Sequence, residues 1–500
     1  MLNINIFSKK SLIKTLNILV ISFLVIQPIF DLKIFYNSFS TLIRVIIISI
    51  LFFVCFFMDK NKRKWYLLIY PFIVLVYIIF HHYNALKFNS LVPGNFGYSF
   101  LKELLYFVKM ITPFLLIYIL YNSNLNKNII FKIIKTIVLT MGLIIIVSNL
   151  FVFSYSSYND QIIKANFFSW FNNTNNYNYL ELSSKGLFEY ANQISAVMLM
   201  FLPFCLISFI EKKSTVNFLV ILVNIFSLFL LSTKVAVFGV FIVFVYTLSV
   251  YIINTKFFKK QKILINAPAI LLAILILYGV VLPINPSFMR INETKAIIAS
   301  SDTVIEDNNE VINLELEAPA TEPNTTSALS DAEYIEQNYK EKEIKKEFIT
   351  ERYPYQYDTE FWLGIFNEPR YNRVNYRFIE LAMVKRVVQI NNNKLDILFG
   401  ITNTRLQNLF NIEKDFVVQY YALGIIGLVL VFVPYFALLG IYLYQILKSK
   451  FKYLTTTNIT SFITIVLMFG ISYYSGNLLN SLSFTIYFAL LFTLLIHKNN

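Results

Sequence analysis

Charged side chains are scarce in this chain of 500 residues: Asp, Glu, Lys and Arg together make up 14% of it, against about 25% in ordinary globular proteins. Hydrophobic residues make up 57%. A soluble fold could not remove so much apolar surface from water, so the composition excludes a set of soluble domains. We therefore expect a protein that crosses a membrane several times.

Glycine, cysteine and histidine are also few, and each shortage excludes a class of site. The 13 glycines form no G-x-x-x-x-G-K-[ST] loop that could hold a nucleotide. Cys55 and Cys205 both lie inside apolar runs, which excludes a disulfide framework and a thiolate metal site. The three histidines, at positions 81, 82 and 497, form no H-E-x-x-H pattern. We expect neither a metal nor a cofactor.

Twelve apolar segments are long enough to cross a bilayer at about 20 residues each. They are 14–30, 41–58, 65–83, 99–121, 129–153, 187–210, 216–233, 234–254, 263–282, 415–446, 458–475 and 478–496. The pattern predicts an all-α polytopic membrane protein with about twelve transmembrane helices and one large loop. Spans one to nine occupy 1–282, the loop occupies 283–414, and spans ten to twelve occupy 415–500.

The connecting segments alternate in charge, which predicts the orientation of the chain. One set contains 19 Lys and Arg residues, and the short loops of the other set contain five. By the positive-inside rule, both termini are cytoplasmic and the large loop is extracytoplasmic in a plasma-membrane protein. The first apolar run lacks a small-residue cleavage site and is expected to be an uncleaved anchor. The net charge of +14 does not indicate a nucleic-acid partner, because the lysines lie in loops between spans.

The large loop has two halves of different composition. As a whole it contains 15 Lys and Arg but 21 Asp and Glu. Residues 291–350 are acidic and Ser/Thr-rich, and are predicted to be flexible or partly helical. Residues 351–414 alternate tyrosines with arginines, and apolar residues recur at helical spacing over 372–390. Arg373, Arg377 and Glu380 form a second stripe on that predicted helix.

Ionisable and amide residues within or next to the spans lie almost entirely toward the predicted outer side. They include Arg44, Lys102, Lys109, Glu189, Asn192 and Asp415. Each one taken singly can be a snorkelling or interfacial side chain. Snorkelling cations should appear equally at both faces, however, so the one-sided distribution favours an outward-facing pocket with excess positive charge. Such a pocket suits an anionic headgroup, above all a diphosphate.

Five short sequence motifs occur in the order in which a known family carries them. They are VIQPIFDL (25–32), GLFEYANQISAVML (186–199), LLSTKVAVFG (230–239), LDILFGITNT (395–404) and IEKDFVVQYYALGIIG (412–427). The chain resembles the O-antigen ligase and polymerase superfamily, in particular its Gram-positive branch of polysaccharide-assembly proteins. The resemblance covers most of the chain except about 290–350, and it implies a GT-C-like fold.

The resemblance implies a metal-independent glycosyltransferase at the outer membrane face. Its donor would be an oligosaccharide on a polyprenyl diphosphate, and its acceptor a glycan, with other polysaccharide-assembly proteins as further partners. Lys234 falls in the S-x-[RK] motif, Arg377 falls near the family's loop arginine, and Glu413 stands where ligases carry a histidine. These three are the candidate catalytic residues. The candidate substrate-binding residues are Arg44, Lys102, Lys109, Glu189, Asn192, Arg373, Arg405 and Asp415.

The chain departs from the family pattern in ways that bear on function. The string FGITNT lacks the second glycine that relatives have, and the family's histidine is absent, which favours polymerisation over ligation. Glu413 and Asp415 can also be read as a charged collar at the head of span ten. The main alternative function is a lipid-linked glycan flippase, which should show related halves and ionisable residues along a path through the bilayer. A cell-wall polymerase is a third option, which the strings fit less well.

The charge asymmetry of the loops gives a prediction about topology. In a background without Cys55 and Cys205, a cysteine at Ser301 or Thr325 should react with a membrane-impermeant thiol reagent in intact cells. A cysteine at Asn61 or Thr455 should not react in intact cells. Labelling in the opposite sense would reverse the orientation and move every candidate residue to the other membrane face.

Overall fold

A computed structural model describes residues 9–35, 38–58, 68–89, 91, 97–123, 125–172, 177–256, 266–299, 330–409, 412–449 and 454–496. These residues form helices, turns and isolated bridges, and no strand occurs among them. The cationic loops around 59–67 and 257–265, and the central part of the acidic insert at 300–329, lie outside the described residues. The same is true of positions 61, 301 and 325.

Helices occupy all twelve predicted spans. They are α1 Lys9–Phe30, α2 Ser38–Met58, α3 Ile69–Ala85, α4 Phe100–Asn122, α5 Lys127–Leu150, α7 Ala191–Glu211, α8 Thr215–Leu231, α9 Lys234–Lys256, α10 Asn266–Val281, α18 Asp415–Lys448, α19 Thr456–Ser475 and α20 Leu482–Ile496. A short helix, α6, spans Tyr179–Leu182. Among the described residues, nine helices are long and apolar enough to cross a membrane, while α3, α8 and α20 are shorter apolar helices. The predicted all-α polytopic membrane protein is confirmed.

The chain divides into two compact units. The first contains 1–73, 107–289 and 430–500, and its central element is α7. The apolar residues of α7 are not confined to one face, and its whole membrane-spanning window is buried. It packs against α5, α8, α9, α19 and α20. A helix that is apolar all round is expected at the centre of a bundle, which is where α7 lies within this unit.

Residues 151–172 and 177–190 lie in the first unit and contact residues 32 and 33, which follow α1. The backbone N–H of Lys33 donates to the carbonyl of Leu187 at 2.8 Å, and Leu32 pairs with Phe188 in an isolated bridge. A capping box between Asn178 and Glu181 starts helix α6. These contacts give the segment a defined position at the ends of the spans.

The second unit contains 74–106 and 290–429, so it combines the end of α3 and the start of α4 with the large loop. The loop helices are α11 at 286–299, α12 Asp331–Asn338, α13 Thr359–Phe366, α14 Arg370–Arg373, α15 Tyr376–Asn391, α16 Asp396–Phe399 and α17 Asn403–Leu409. Their core includes Tyr353 and Trp362, both fully buried. The Trp362 indole donates to the Tyr353 carbonyl at 2.9 Å, and the Tyr353 hydroxyl donates to Asp358 at 2.7 Å.

The prediction of one continuous helix over 372–390 is wrong. The chain forms α14 and α15 separately, with Val374 and Asn375 between them. Asn375 has φ −88° and ψ 92°, an extended conformation that ends the first helix before the second begins. Arg373 therefore lies on a different helix from Arg377 and Glu380, and the three do not form one stripe. Helical spacing of apolar residues cannot reveal a break of two residues.

Helix α18 is interrupted at Gly424, which has φ 64° and ψ −174°. The segment that contains Gly400, whose φ is 74°, packs directly on this break. A Cβ atom on Gly424 would lie 2.3 Å from the carbonyl carbon of Leu398, and one on Gly400 would lie 2.3 Å from the backbone of Ala422. Only glycine permits both the backbone conformation and this approach of two chain segments.

This close approach predicts a position-specific effect of adding one methyl group. Gly424→Ala should destabilise the protein by about 2 kcal/mol or more, because it combines strain at positive φ with a backbone clash. Gly440→Ala is the matched control in the same helix, because nothing lies within 4 Å of its added Cβ. Thermal unfolding in detergent should separate the two variants. Equal melting temperatures would show that α18 does not have the break described here.

Candidate functional site

Two of the candidate catalytic residues form an ion pair in the second unit. The Nε of Arg377 donates to Oε2 of Glu413 at 3.0 Å, and Nη2 donates to the same oxygen. Arg377 lies at the start of α15, and Glu413 lies just before α18. Both side chains are more than a third exposed. Among the described residues, Oε1 of Glu413 accepts no hydrogen bond, so one oxygen of the pair is open to a ligand.

Glu380 lies one turn after Arg377 and was not among the predicted site residues. Its half-buried side chain loses solvation, and the nearby Glu413 carboxylate adds repulsion. These two effects raise the pKa of Glu380 to about 8, although Arg377 and Lys345 oppose them. A carboxyl group with a pKa near neutrality is suited to acid–base chemistry. Its signal in the sequence was its spacing from Arg377.

Arg373 lies in the same unit, and part of its guanidinium forms no hydrogen bond with the described residues. Its Nε and Nη1 atoms are buried, and neither has a hydrogen-bond partner among the described residues. The neighbouring Arg370 is committed, because its guanidinium binds the Glu343 carboxylate through two bonds of 2.6 and 2.7 Å. This ion pair, helped by Arg373, lowers the pKa of Glu343. Arg373 is therefore the arginine of α14 with unused hydrogen-bonding capacity.

Lys234 lies in the first unit, at the end of the sequence Ser-Thr-Lys that connects α8 to α9. Ser232 adopts the left-handed conformation at the end of α8, and Thr233 accepts a hydrogen bond from the N–H of Ala236 at 3.1 Å. Lys234 is the first residue of α9 and is exposed. The positive end of a helix dipole and an ammonium group then coincide, an arrangement that favours binding of an anion. Tyr158 fixes the turn by donating to the Ser232 carbonyl at 2.6 Å.

A lysine–aspartate cluster lies in the same unit. Asp160 contacts Lys33 at 2.8 Å and Lys185 at 3.2 Å. The hydrogen bond from Lys33 is the largest effect that lowers the pKa of Asp160, whereas burial lowers the pKa of Lys185. Glu189 acts electrostatically on both lysines and is half-buried, as is Asn192 at the start of α7. Glu189 and Asn192 were predicted as substrate-binding residues, whereas the lysine–aspartate cluster was not predicted.

Arg44 is enclosed and has a carboxylate partner. It is 1% exposed, and its Nη2 lies 2.5 Å from Oδ1 of Asp31. Asp31 also accepts hydrogen bonds from Ser483 and from Tyr487, the latter at 2.9 Å. This network joins the ends of α1 and α20 to α2. The expectation of an open pocket with excess positive charge is therefore not met at Arg44, because Asp31 neutralises it.

Arg405 is also enclosed. Its guanidinium lies 4.2 Å from the ring centre of Phe88 and 5.2 Å from that of Tyr98. It donates to the carbonyls of Ala85 at 2.9 Å and Ile401 at 3.3 Å. Burial lowers the pKa of Arg405 to about 10, which leaves it charged at neutral pH. These contacts give Arg405 a role in holding the loop, whatever it does toward a substrate.

The remaining candidates differ in exposure. Asp415 is fully buried at the start of α18, whereas Lys102 is exposed and Lys109 is half-buried on α4. Of these three, Lys102 is the most accessible to a ligand. Among the described residues, no group of three or more His, Cys, Asp or Glu side chains is placed to hold a metal ion.

Comparison with known proteins identifies one family. A family model described as "O-antigen ligase like membrane protein" matches residues 14–499. No curated protein and no solved structure matches the chain significantly.

The raised pKa of Glu380 predicts how stability depends on pH. The folded carboxyl keeps its proton up to about pH 8, whereas the unfolded carboxyl releases it above its ordinary pKa of about 4.3. Between these values the folded state binds more protons, so Glu380 makes the protein less stable as pH rises. Glu380→Gln removes this effect, so its melting temperature relative to the native protein should increase from about pH 5 to about pH 8. A difference that is constant over this range would show that Glu380 titrates normally.

Proposed function

The chain belongs to the O-antigen ligase-like family of membrane proteins, and from that membership we propose that it transfers or polymerises glycans carried on a polyprenyl diphosphate. The product would be a surface polysaccharide of the capsule, exopolysaccharide or teichuronic type. The family supports the coarser statement of a membrane glycan-assembly function of the glycosyltransferase type. The finer assignment rests on the chemistry of the residues described above.

The proposed reaction breaks one bond and forms one. An acceptor hydroxyl attacks the anomeric carbon of the donor, and the bond from that carbon to the diphosphate oxygen breaks. The hydroxyl proton passes to a base, and the electron pair of the broken bond stays on the lipid diphosphate. The protein must therefore supply a proton acceptor and positive charge for the leaving group.

The observation that carries the proposal is the geometry of Arg377 and Glu413. Both guanidinium contacts go to Oε2. This fixes the carboxylate while Oε1 accepts no hydrogen bond from the described residues. A held carboxylate with one open oxygen is suited to take a proton from a hydroxyl group. Glu413 is the proposed base, and Glu380 is its rival because its pKa of about 8 lies close to a working pH.

Two cationic positions support the handling of a diphosphate. Lys234 is exposed at the start of α9, where the helix dipole adds to its charge. In the other unit, Arg373 has buried guanidinium nitrogens without a partner among the described residues. Arg and Lys neutralise phosphate oxygens without a metal ion. We assign leaving-group stabilisation to Lys234 and Arg377, as the family motifs imply, with Arg373 as a further phosphate ligand.

The test is polymer formation by the purified protein in proteoliposomes that contain a lipid-linked oligosaccharide donor. Lys234→Ala and Arg377→Ala should each lower the rate by about 100-fold or more, because each removes charge at the leaving group. Lys234→Arg should keep part of the activity, and Lys394→Ala, an exposed lysine of the same loop, should keep all of it. Polymer formation at the normal rate by both alanine variants would show that neither Lys234 nor Arg377 stabilises the leaving group. Movement of the donor across the bilayer without chain growth would instead indicate a flippase.

The same assay separates the two candidate bases. Glu413→Gln keeps the size and the hydrogen bond to Arg377 but cannot accept a proton at neutral pH. We expect it to bind the donor and to lose about 100-fold or more in rate, whereas Glu380→Gln stays active. If Glu380→Gln is the inactive variant and Glu413→Gln works normally, then Glu380 is the base.

A further inference from the structure

An apolar groove runs along α8 in the first unit, where α5 and α10 lie on either side of that helix. Its volume is about 450 Å³. Ile225 and Phe229 of α8 and Tyr278 of α10 are buried and form its floor. Leu222 and Leu277 lie at its rim, with exposed fractions of 37% and 64%. The groove is therefore open along one side.

Aromatic rings make the groove rigid. Phe167, in a short 3-10 helix at 167–170, lines the groove and meets the Phe226 ring edge-on, with 4.9 Å between the ring centres. The Trp170 and Phe229 rings lie 5.4 Å apart, and Phe229 meets Tyr278 edge-on at 5.7 Å. Such contacts fix the rings relative to one another. The groove is therefore largely formed before anything binds in it.

The floor of the groove is connected to the turn that carries Lys234. The Tyr278 hydroxyl donates to the Val237 carbonyl at 3.2 Å, and Val237 lies three residues after Lys234 on α9. The Asn285 amide donates to the carbonyl of Phe229 at 2.8 Å, five residues before Lys234. The apolar groove thus leads to an exposed lysine at the start of a helix, where the charge and the dipole both favour an anion.

We propose that the groove binds the hydrocarbon chain of a polyprenyl diphosphate whose diphosphate lies at Lys234. The groove is apolar and the position at its end is cationic, so the occupant is an amphiphile with an anionic head. This inference rests on the proposed function, which assigns the diphosphate of the donor to Lys234. It adds the place where the chain of that donor is held.

The lining of the groove favours a polyprenyl chain over a phospholipid. Among the described residues, those that line it have apolar side chains apart from Tyr278, whose hydroxyl is bonded to Val237. A phospholipid would place its glycerol and ester groups between its chains and its phosphate, and the groove offers these groups no free donor. A polyprenyl diphosphate has one chain joined directly to the diphosphate and needs no such partner.

The rigidity of the groove matters because the bilayer is as apolar as the protein. A lipid chain gains little by leaving other lipid chains unless it packs better against the protein. Fixed rings can supply that packing for a methyl-branched chain. Leu222 and Phe229 are seven residues apart, which is about 10 Å along the axis of α8. The groove therefore holds the part of the chain nearest the diphosphate, and the remainder stays in the bilayer.

Site-specific photocrosslinking tests this occupancy without any turnover. Benzoylphenylalanine replaces Leu222, or replaces Leu219 as the control, since Leu219 is exposed on the same helix and does not line the groove. The full-length protein is placed in nanodiscs with radiolabelled undecaprenyl diphosphate that carries no sugar. The label should crosslink at position 222 about tenfold more than at position 219, and unlabelled undecaprenyl diphosphate should compete.

Each other occupant gives a different result, and each would overturn the proposal. Equal competition by phosphatidylglycerol would show that the groove takes up bilayer lipid. A crosslinked dimer of the chain would show that a second copy covers the groove. Equal labelling at positions 222 and 219 would show that the groove does not select the probe.

A groove-filling variant tests the connection to Lys234. Leu277→Trp adds volume at the rim, and Ile276→Trp is the matched control on an exposed residue outside the lining. Leu277→Trp should weaken binding of both undecaprenyl diphosphate and uncharged undecaprenol by about tenfold, whereas Ile276→Trp should stay within about twofold. Lys234→Ala should weaken binding of the diphosphate only. Equal binding by Leu277→Trp and Ile276→Trp would refute the groove assignment.

The polymerisation assay separates this inference from the proposed function. Leu277→Trp should raise the donor KM by about tenfold and leave kcat within about twofold, because the chain lies away from the reacting carbon. If the native protein binds the probe in the groove but makes no polymer, the proposed function fails and the groove assignment stands. If Leu277→Trp makes polymer with the native KM, the groove assignment fails and the proposed function stands.

Discussion

The break in α18 is the constraint on which the second unit depends. A helix that is interrupted within apolar surroundings leaves carbonyl groups that must find donors, because no water is available to them. At Gly424 these donors come from outside the helix. Ile401 and Thr402 supply backbone N–H groups, and the Tyr77 hydroxyl supplies a third. The loop is therefore required by the helix as much as it is supported by it.

This requirement explains why so many polar groups are buried at one place. Because the loop lies at the break, the backbone N–H groups of Asn403 and Thr404 at the start of α17 are buried as well. Both donate hydrogen bonds to the carboxylate of Glu103. Nε2 of His81, on α3, lies 3.1 Å from the same carboxylate. On the other side of the loop, Asn84 donates to the Gly400 carbonyl at 3.0 Å and to Asp396 at 2.9 Å. Each buried polar group thus follows from satisfying the one before it.

The sequence allowed the spans to be located to within a few residues, since their signal is local composition. It did not allow the ion pairs to be located. Which carboxylate pairs with Arg44 or with Arg377 depends on which chain segments are neighbours in the fold. Arg405 was a candidate substrate-binding residue, yet its environment of Phe88 and Tyr98 makes it part of the loop's support. Glu103 and His81 were visible as polar residues in apolar runs, but their common partner lies about 300 residues away.

The cations of the chain fall into two physical classes, and the distinction bears on any anionic substrate. Arg44 and Arg405 are enclosed, and their charge is met by a carboxylate or by carbonyls and rings. Their removal would leave buried partners unsatisfied and would cost stability before it affected binding. Lys234 and Arg377 are exposed or partly exposed, so a ligand can reach them from solvent. Loss of activity is therefore informative at the exposed cations, whereas at the enclosed ones it cannot be separated from loss of the fold.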